Sequence, residues 1–165
     1  MIQVKERLYV DVNEFFNQLE ISIAYDIEQA TGKKIKPYKG YKYKKVMKNK
    51  VGRKGEVEVV ITELTPPKCY SAYFKSINGI NKISYTIEEI EEYCIDVTYR
   101  EEFEGNSKSI DTNFKLMQFF YKRRAKKRAS KILRAIESYL RQNNNWDLNR
   151  KSLGVFYFIF CIEFL

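Results

Sequence analysis

The chain has 165 residues, a formal charge of +9 from 30 basic and 21 acidic side chains, and no histidine. This length predicts one domain with a single hydrophobic core. The lack of histidine excludes Ser-His and Cys-His couples and imidazole-containing metal sites, so acid-base catalysis would need a carboxylate, Lys or Tyr.

The cysteines and the N-terminus bear on the cellular compartment. Cys69, Cys94 and Cys161 are widely spaced and odd in number, which argues against a disulfide framework and against a Cys-rich zinc site. Charged residues at positions 5–7 interrupt the first apolar run, so neither a secretory signal nor a transmembrane start is predicted. We expect a cytoplasmic binding or regulatory protein rather than an enzyme, with no metal or other cofactor.

The charge is unevenly distributed. Every charged residue between positions 28 and 56, and again between 111 and 137, is basic, whereas acidic residues gather between positions 88 and 104. A two-sided molecule of this kind favours an anionic partner, such as nucleic acid, a membrane surface or an acidic ligand.

The first elements are a strand over residues 4–10 and a helix that begins after Asp11. Asp11 and Glu14 have the spacing of a capping box, and Gly32 supplies a left-handed end to the helix. One face of this helix is predicted to be buried, since its apolar residues recur at helical spacing: Phe15, Leu19, Ile23 and Ile27.

From residue 35 the hydrophobic period changes from about four to two, which predicts strands. Asn78-Gly79 is typical of a tight hairpin turn, and residues 88–92 form an acidic turn. The strands are expected to form one continuous antiparallel sheet, with alternating segments at 41–45, 57–61, 70–76, 83–87 and 95–103.

The last long helix is predicted over residues 109–141, with an apolar stripe on one side and basic residues mostly on the other. Residues 1–142 are therefore predicted to form one domain, with a polar linker and a short apolar tail over residues 143–165. The tail is shorter than the roughly 20 residues that span a bilayer. An extra strand, a self-association segment and a dispensable tail all remain open.

The order of elements favours an α+β fold in which a curved antiparallel sheet wraps around the long C-terminal helix, with a cavity between them. The chain also resembles an uncharacterised bacterial domain-of-unknown-function family, the one numbered 3284, through residues 10–31, 70–85 and 113–139. Two motifs are fairly specific, Thr-Tyr-Arg-Glu-Glu-Phe-Glu at 98–104 and Tyr-Lys-Arg-Arg-Ala-Lys-Lys-Arg-Ala at 121–129. The family is similar in element order to the START-like, Bet v 1-like helix-grip superfamily, which implies a helix-grip fold and an apolar or amphipathic ligand held between sheet and helix. The resemblance supplies no catalytic residue.

A cavity in such a fold predicts a small-molecule site. Arg128, with Arg124 at the edge of the stripe, would lean toward the sheet and meet either an internal carboxylate, Glu101 or Glu63, or an anionic or polar ligand head. The internal pair is favoured. The predicted lining also contains residues that share inward faces: Phe74, Ser76, Asn81, Tyr85, Tyr99, Glu101, Met117 and Tyr121.

Two other functions remain open. Nucleic acid could bind the outward face of the last helix through Lys122, Arg123, Lys126 and Lys127, with Ser130 also outward. Tyr41 and Tyr43, which alternate with lysines, would add stacking aromatics, although ordinary strand patterning with tyrosines inward and lysines outward is favoured. A protein-interaction subunit that uses the apolar tail is the third hypothesis.

Overall fold

The fold consists of six strands and two helices. The computed structural model describes residues 1–48, 54–105 and 112–143, with side chains described except at 48, 112–121 and 143. In chain order the elements are β1 (Ile2–Leu8), α1 (Val12–Thr31), β2 (Lys42–Lys48), β3 (Lys54–Thr65), β4 (Cys69–Ser76), β5 (Gly79–Glu91), β6 (Cys94–Gly105) and α2 (Thr112–Asn143).

The strands form one antiparallel sheet in the order β1-β6-β5-β4-β3-β2. β1 and β2 are therefore at its two edges. α1 joins these two edge strands in sequence, and α2 follows the last strand. The predicted α+β helix-grip class, with a continuous antiparallel sheet and a long C-terminal helix, is confirmed. Residues 109–111 of the predicted last helix lie outside the described residues.

The ends of α1 follow from its sequence. The Asp11 Oδ1 atom accepts hydrogen bonds from the amides of Asn13 and Glu14, both at 2.9 Å, which satisfies two of the orphan donors of the first turn. Gly32 ends the helix in the left-handed region at φ 71°, and its N–H donates to the Glu28 carbonyl at 2.8 Å. Between these caps the helix buries an apolar face that includes Phe15, Phe16, Leu19, Ile23 and Ile27.

The hydrophobic core lies between the inward face of the sheet and the two helices. Alternate strand residues enter it because successive side chains of a strand point to opposite faces. The sheet contributes Tyr70, Phe74, Ile83, Tyr85, Ile95 and Val97 among others, and α2 adds Ala129, Leu133, Ile136 and Leu140.

Two predicted turns differ from the structure. β5 continues to Glu91, so residues 88–91 are strand and the turn is Glu92–Tyr93. The β4–β5 turn is formed by Ile77 and Asn78, with Gly79 already paired to Ser76. Gly79 is needed there because β6 approaches closely: a Cβ atom at Gly79 would lie 2.2 Å from the Glu104 carbonyl oxygen.

A network of polar contacts anchors α2 to β1. Arg134 donates to Glu6 Oε2 at 2.7 Å, to the Arg7 carbonyl at 2.9 Å and to Glu137 Oε2 at 3.1 Å. Glu137 in turn accepts from the Tyr9 amide at 2.8 Å. One side chain thus joins the helix to both the backbone and a side chain of the edge strand, which fixes the position of α2 along the sheet.

Within the described residues, neither helix is long and apolar enough to cross a membrane. Residues 144–165, which include most of the predicted linker and the apolar tail, lie outside the described residues. The domain boundary at residue 142 therefore stays a prediction.

The pairing of β1 with β6 predicts a pH dependence of stability. Asp96 lies directly opposite Arg7 and accepts two hydrogen bonds from it, at 2.8 and 3.1 Å, and these bonds are the main reason that the pKa of Asp96 is lowered to about 2. The pKa of Asp96 in the native state is below its unfolded value of about 3.9, so its contribution is present above pH 4 and is lost as the pH falls toward 2.

We expect Asp96→Asn to lower the melting temperature at pH 7 and to have little effect near pH 2. Circular dichroism melts of wild type and variant at pH 7, 4, 3 and 2 measure this. Glu89→Gln, an exposed acidic position on β5, is the control. A difference in melting temperature that stays constant from pH 7 to pH 2 would contradict the assignment.

Candidate functional site

A buried carboxylate lies on the inward face of the sheet, beneath α2. Glu101 is 3% exposed, and its Oε1 accepts from Asn81 Nδ2 at 3.1 Å. Its Oε2 accepts from the Tyr99 hydroxyl at 3.1 Å and lies 3.9 Å from Arg128 Nη2. We name Asn81, Tyr99, Glu101 and Arg128 the Glu101 cluster.

Three elements bring the Glu101 cluster together. Tyr99 and Glu101 are two residues apart on β6, so both point inward, and Asn81 reaches the same face from β5. Arg128 comes from α2. It lies on the helix surface between the buried side, which carries Ala125 and Ala129, and the exposed side, which carries Lys126 and Lys127. A charge is tolerated at this depth because a guanidinium and two neutral donors compensate it.

Tyrosine rings surround the Glu101 cluster. The rings of Tyr85 and Tyr99 lie 5.0 Å apart between centroids, and those of Tyr70 and Tyr85 stack at 6.1 Å. Burial raises the pKa of Tyr99 and Tyr85 above the usual range; the negative charge of Glu101 adds to both shifts and Arg128 opposes them. Both phenols are therefore neutral at physiological pH, and the Tyr99 hydroxyl acts as a donor.

One buried acceptor of the Glu101 cluster has no protein partner among the described residues. Asn81 is 3% exposed, and its Oδ1 atom makes no hydrogen bond to any of them. Leaving such an acceptor buried without a donor costs free energy, about 1–3 kcal/mol in general. A bound donor group would remove that cost.

The predicted ligand-site residues are partly brought together. Phe74, Asn81, Tyr85, Tyr99 and Glu101 are all buried on the inward face. The side chains of Met117 and Tyr121 lie outside the described residues. Ser76 is the last residue of β4 and closes the β4–β5 turn: its hydroxyl donates to the Gly79 carbonyl and accepts from the Asn78 amide, both at 3.2 Å.

The two predicted arginines differ. Arg128 is partly buried beside Glu101, one of the two internal carboxylates that were predicted as its possible partners. The expectation that Arg124 leans under the helix is wrong, because it lies beyond the edge of the buried stripe and is exposed. Glu63 is not an internal partner either, since its side chain is 34% exposed and pairs with Lys39.

The basic outer face of α2 is exposed at Lys122, Arg123, Lys126 and Lys127. Ser130 was expected to face solvent, but its hydroxyl donates to Glu6 Oε1 at 2.5 Å, because α2 packs against β1 at this point. The lysines of β2 belong to the opposite edge of the sheet from β1. Nothing in the strand order joins these two sets of basic residues into one surface.

Comparison with known proteins identifies the family. The model of a family described as "Domain of unknown function (DUF3284)" matches residues 2–122. The chain belongs to the DUF3284 family. A search of curated protein sequences found no match for this DUF3284 member.

Solved structures with the same fold are distant in sequence. Ara h 8.0201, a Bet v 1-like protein, aligns with a TM-score of 0.58 at 12% identity, over 86% of this chain and 97% of its own. A START superfamily protein from Mycobacterium smegmatis aligns with a TM-score of 0.57 at 8% identity, over 86% and 97% respectively. A protein from Arthrobacter aurescens gives 0.55 at 14% identity, over 83% and 85%. At these identities the likeness shows the fold alone, which confirms the START-like helix-grip resemblance.

The structure of this DUF3284 member contains a second charge cluster, partly buried, that was not predicted from the sequence. Lys45 Nζ donates to both carboxylate oxygens of Asp26, at 2.8 and 2.9 Å, and the Tyr43 hydroxyl donates to Asp26 Oδ2 at 2.5 Å. Lys45 also lies over the Phe74 ring, 5.4 Å from its centroid. Burial, and then the charge of Asp26, raises the pKa of Tyr43 above its usual range.

The signal for the Asp26–Tyr43–Lys45 cluster is present in the sequence. The expectation that β2 turns its tyrosines inward and its lysines outward holds for the buried Tyr43 and the exposed Lys42 and Lys44. It is wrong for Lys45, which follows Lys44 and therefore has the inward parity of Tyr43. The burial of Tyr43 also makes it unavailable as a stacking surface for nucleotide bases.

Among the described residues, no group of three or more Cys, Asp or Glu side chains is arranged to hold a metal ion. Both clusters are instead internally compensated pairs of opposite charge.

We expect Asp26→Asn to destabilise the protein by about 3 kcal/mol, because it leaves the Lys45 ammonium buried without its counter-charge. The side chains of Lys45 and Asp26 are 9% and 16% exposed, so solvent screens the pair little. Urea unfolding at pH 7 measures the change in the free energy of unfolding.

The double variant Asp26→Asn/Lys45→Met is the matched control. It removes both charges and keeps an acceptor for Tyr43, so we expect it to recover most of the lost stability. A double variant as unstable as the sum of its single variants would show that the two charges do not interact.

Proposed function

We propose that this protein is a small-molecule binding or regulatory domain that holds an amphipathic ligand between the sheet and α2. The observation that carries the proposal is the Glu101 cluster. It sets a carboxylate, an amide, a phenol and a guanidinium together on a face that is otherwise aromatic and apolar. Ligand sites typically combine apolar walls with a few convergent polar groups.

Aromatic and aliphatic side chains support the apolar half of the proposal. Phe74, Ile83, Tyr85 and Tyr99 surround Asn81 and Glu101 on the inward face, and each is 7% exposed or less. Their rings would contact the apolar body of the ligand. The resemblance to START-like proteins, whose members mostly hold such ligands at this place, points the same way.

The polar half has a distinct chemistry. Asn81 Oδ1 offers a buried acceptor, which suits a ligand donor. Arg128 lies 3.9 Å from Glu101, beyond hydrogen-bond distance, and its side chain is 31% exposed, so its guanidinium suits a ligand acceptor. The ligand head would therefore both donate and accept, as a hydroxyl, an amide or a carboxylic acid does. Binding rather than catalysis is proposed because Glu101 is already held by two hydrogen bonds and a guanidinium.

The test uses 8-anilinonaphthalene-1-sulfonate, an amphipathic probe with an aromatic body and an anionic acceptor head. We expect saturable binding to the full chain by fluorescence titration. Arg128→Gln should weaken it about tenfold, since a hydrogen bond to a charged group is generally worth about 1.5–3 kcal/mol.

Arg123→Gln is the control, because it makes the same change of charge on the exposed face of the same helix. It should leave the affinity within about twofold, since exposed charges contribute little. Near-ultraviolet circular dichroism checks that both variants keep native packing. Equal weakening by the two variants, or no saturable binding to wild type, would contradict the proposed site.

A second measurement addresses the natural ligand. Native mass spectrometry of the protein purified from its own cells, at low and at high ionic strength, detects retained mass. A retained small molecule would support the proposal and give the class of ligand. Nucleic acid released by salt would instead favour the basic face of α2, because phosphate contacts weaken steeply as salt rises.

A further inference from the structure

We infer that the outer edge of β2, which pairs with no other strand of the described residues, is a docking site for an extended acidic peptide of a partner protein. This site is separate from the Glu101 cluster and does not depend on the proposed ligand. A groove of about 370 Å³ runs between β2 and the C-terminal part of α1. Its lining residues are Asp26, Gln29, Ala30, Lys44, Lys45, Val46 and Glu56.

The backbone of β2 presents hydrogen-bonding groups to this groove. β2 is the last strand at its side of the sheet formed by the described residues. At its start the Ile61 N–H donates to the Tyr41 carbonyl at 3.0 Å, and bonded pairs alternate along an antiparallel ladder. The bonded positions are therefore Tyr43 and Lys45, whereas the N–H and C=O groups of Lys44 and Val46 point away from β3.

An added strand would use these groups directly. An extended peptide pairs with an edge strand by main-chain hydrogen bonds to every second residue, and here these residues are Lys44 and Val46. The room for it lies between β2 and α1, where the opposite wall is Gln29 and Ala30. The Asp26–Lys45 ion pair, at 2.8 Å, forms part of the lining of this groove, where it joins α1 to β2 and holds the two walls in position.

The exposed lysines on the outward face of this edge favour an acidic peptide over a basic one, although the groove itself is lined by two lysines and two carboxylates. Every second side chain of an added strand would lie beside the outward residues of β2, where Lys42 and Lys44 are exposed and Val46 is 67% exposed. Opposite charges across a strand pair are favourable, about 0.2–1 kcal/mol each. The exposed Lys44–Glu56 pair, at 2.8 Å, is of the kind that contributes little and is easily exchanged. The remaining side chains would face Gln29 and Ala30, which suits small polar residues.

The same charges argue against a second copy of this chain as the occupant. Two β2 strands side by side would bring lysines against lysines, the arrangement by which proteins protect their edge strands from self-association. The other edge of the sheet is not equivalent, because α2 packs on β1 and Arg134 joins them.

The test uses a fluorescein-labelled seven-residue peptide that alternates glutamate and threonine, with a lysine–threonine peptide as its control. Fluorescence anisotropy with the full chain should give saturable binding of the glutamate peptide. The lysine peptide should bind about tenfold more weakly, because its cross-strand charge pairs with β2 are unfavourable. Equal affinity for the two peptides, or no binding of either, would overturn the inference.

The variant Val46→Pro removes a donor that points to the groove and none that bonds β3, so an edge strand tolerates it. It should weaken binding of the glutamate peptide about tenfold or more, because one main-chain hydrogen bond is lost and the proline ring occupies space next to the peptide. Val46→Thr keeps the donor, and its affinity for the glutamate peptide should stay within about twofold of wild type.

If Val46→Pro does not fold, Gln29→Glu replaces it. A negative charge on the opposite wall should weaken binding of the acidic peptide, whereas Gln29→Asn should not.

Amide hydrogen exchange supplies the decisive pattern. Peptide binding should slow exchange at Lys44 and Val46 and leave Tyr43 and Lys45 unchanged, since the latter amides already bond β3. Three results would each overturn the inference. These are slower exchange at all four amides, full binding by folded Val46→Pro, and a concentration-dependent dimer that Val46→Pro abolishes. The last result would assign the edge to a second copy. Probe binding at the Glu101 cluster is unaffected by these variants, so the two proposals fail separately.

Discussion

The anchoring of α2 to β1 is the constraint on which the interior of this protein depends. Arg134 joins the helix to Glu6 and to the Arg7 carbonyl, and Glu137 receives the Tyr9 amide. Arg128 lies six residues earlier, about 9 Å along the helix axis. A helix fixed at Arg134 therefore holds Arg128 over the sheet at Glu101. Displacing α2 by one turn would leave Glu101 buried without its guanidinium, at a large cost in free energy.

Two charge clusters, each at least partly buried, lie on the inward side of the sheet. The Glu101 cluster belongs to β5, β6 and α2, whereas Asp26, Tyr43 and Lys45 join α1 to β2. Phe74 links them, because it pairs with Asn81 on β5 and lies beneath the Lys45 ammonium. Each helix is thus held to the sheet by directional contacts as well as by apolar packing, which gives the core a specific arrangement.

The candidate site was predictable wherever strand parity decided it. Asn81, Tyr85, Tyr99 and Glu101 were expected inward from period-two alternation, and all are buried. Ser76 has the inward parity, but its hydroxyl bonds the backbone of the β4–β5 turn. Strand alternation does not predict such contacts. The prediction for Arg124 was wrong because this residue lies just beyond the edge of the buried stripe of α2, where its long side chain extends into solvent. The inward position of Lys45 was not predicted, because lysines of a strand are generally expected to face solvent, whereas the alternation of the strand places Lys45 on the same side as Tyr43.

The kinds of element, their order and the ends of α1 could be predicted from the amino-acid sequence, because caps, periodicity and glycine conformations are local properties of the chain; two strand ends at turns could not. The sequence also indicated the inward face of most strands. The pairing of charges depends on the three-dimensional fold: Asp26 meets Lys45, Glu101 meets Arg128, and Arg134 meets Glu6. These partners are between 19 and 128 residues apart in the chain. Their encounter depends on strand order and on how the helices lie over the sheet, which no local pattern encodes. The same strand order makes β2 an edge and leaves Lys44 and Val46 facing a groove.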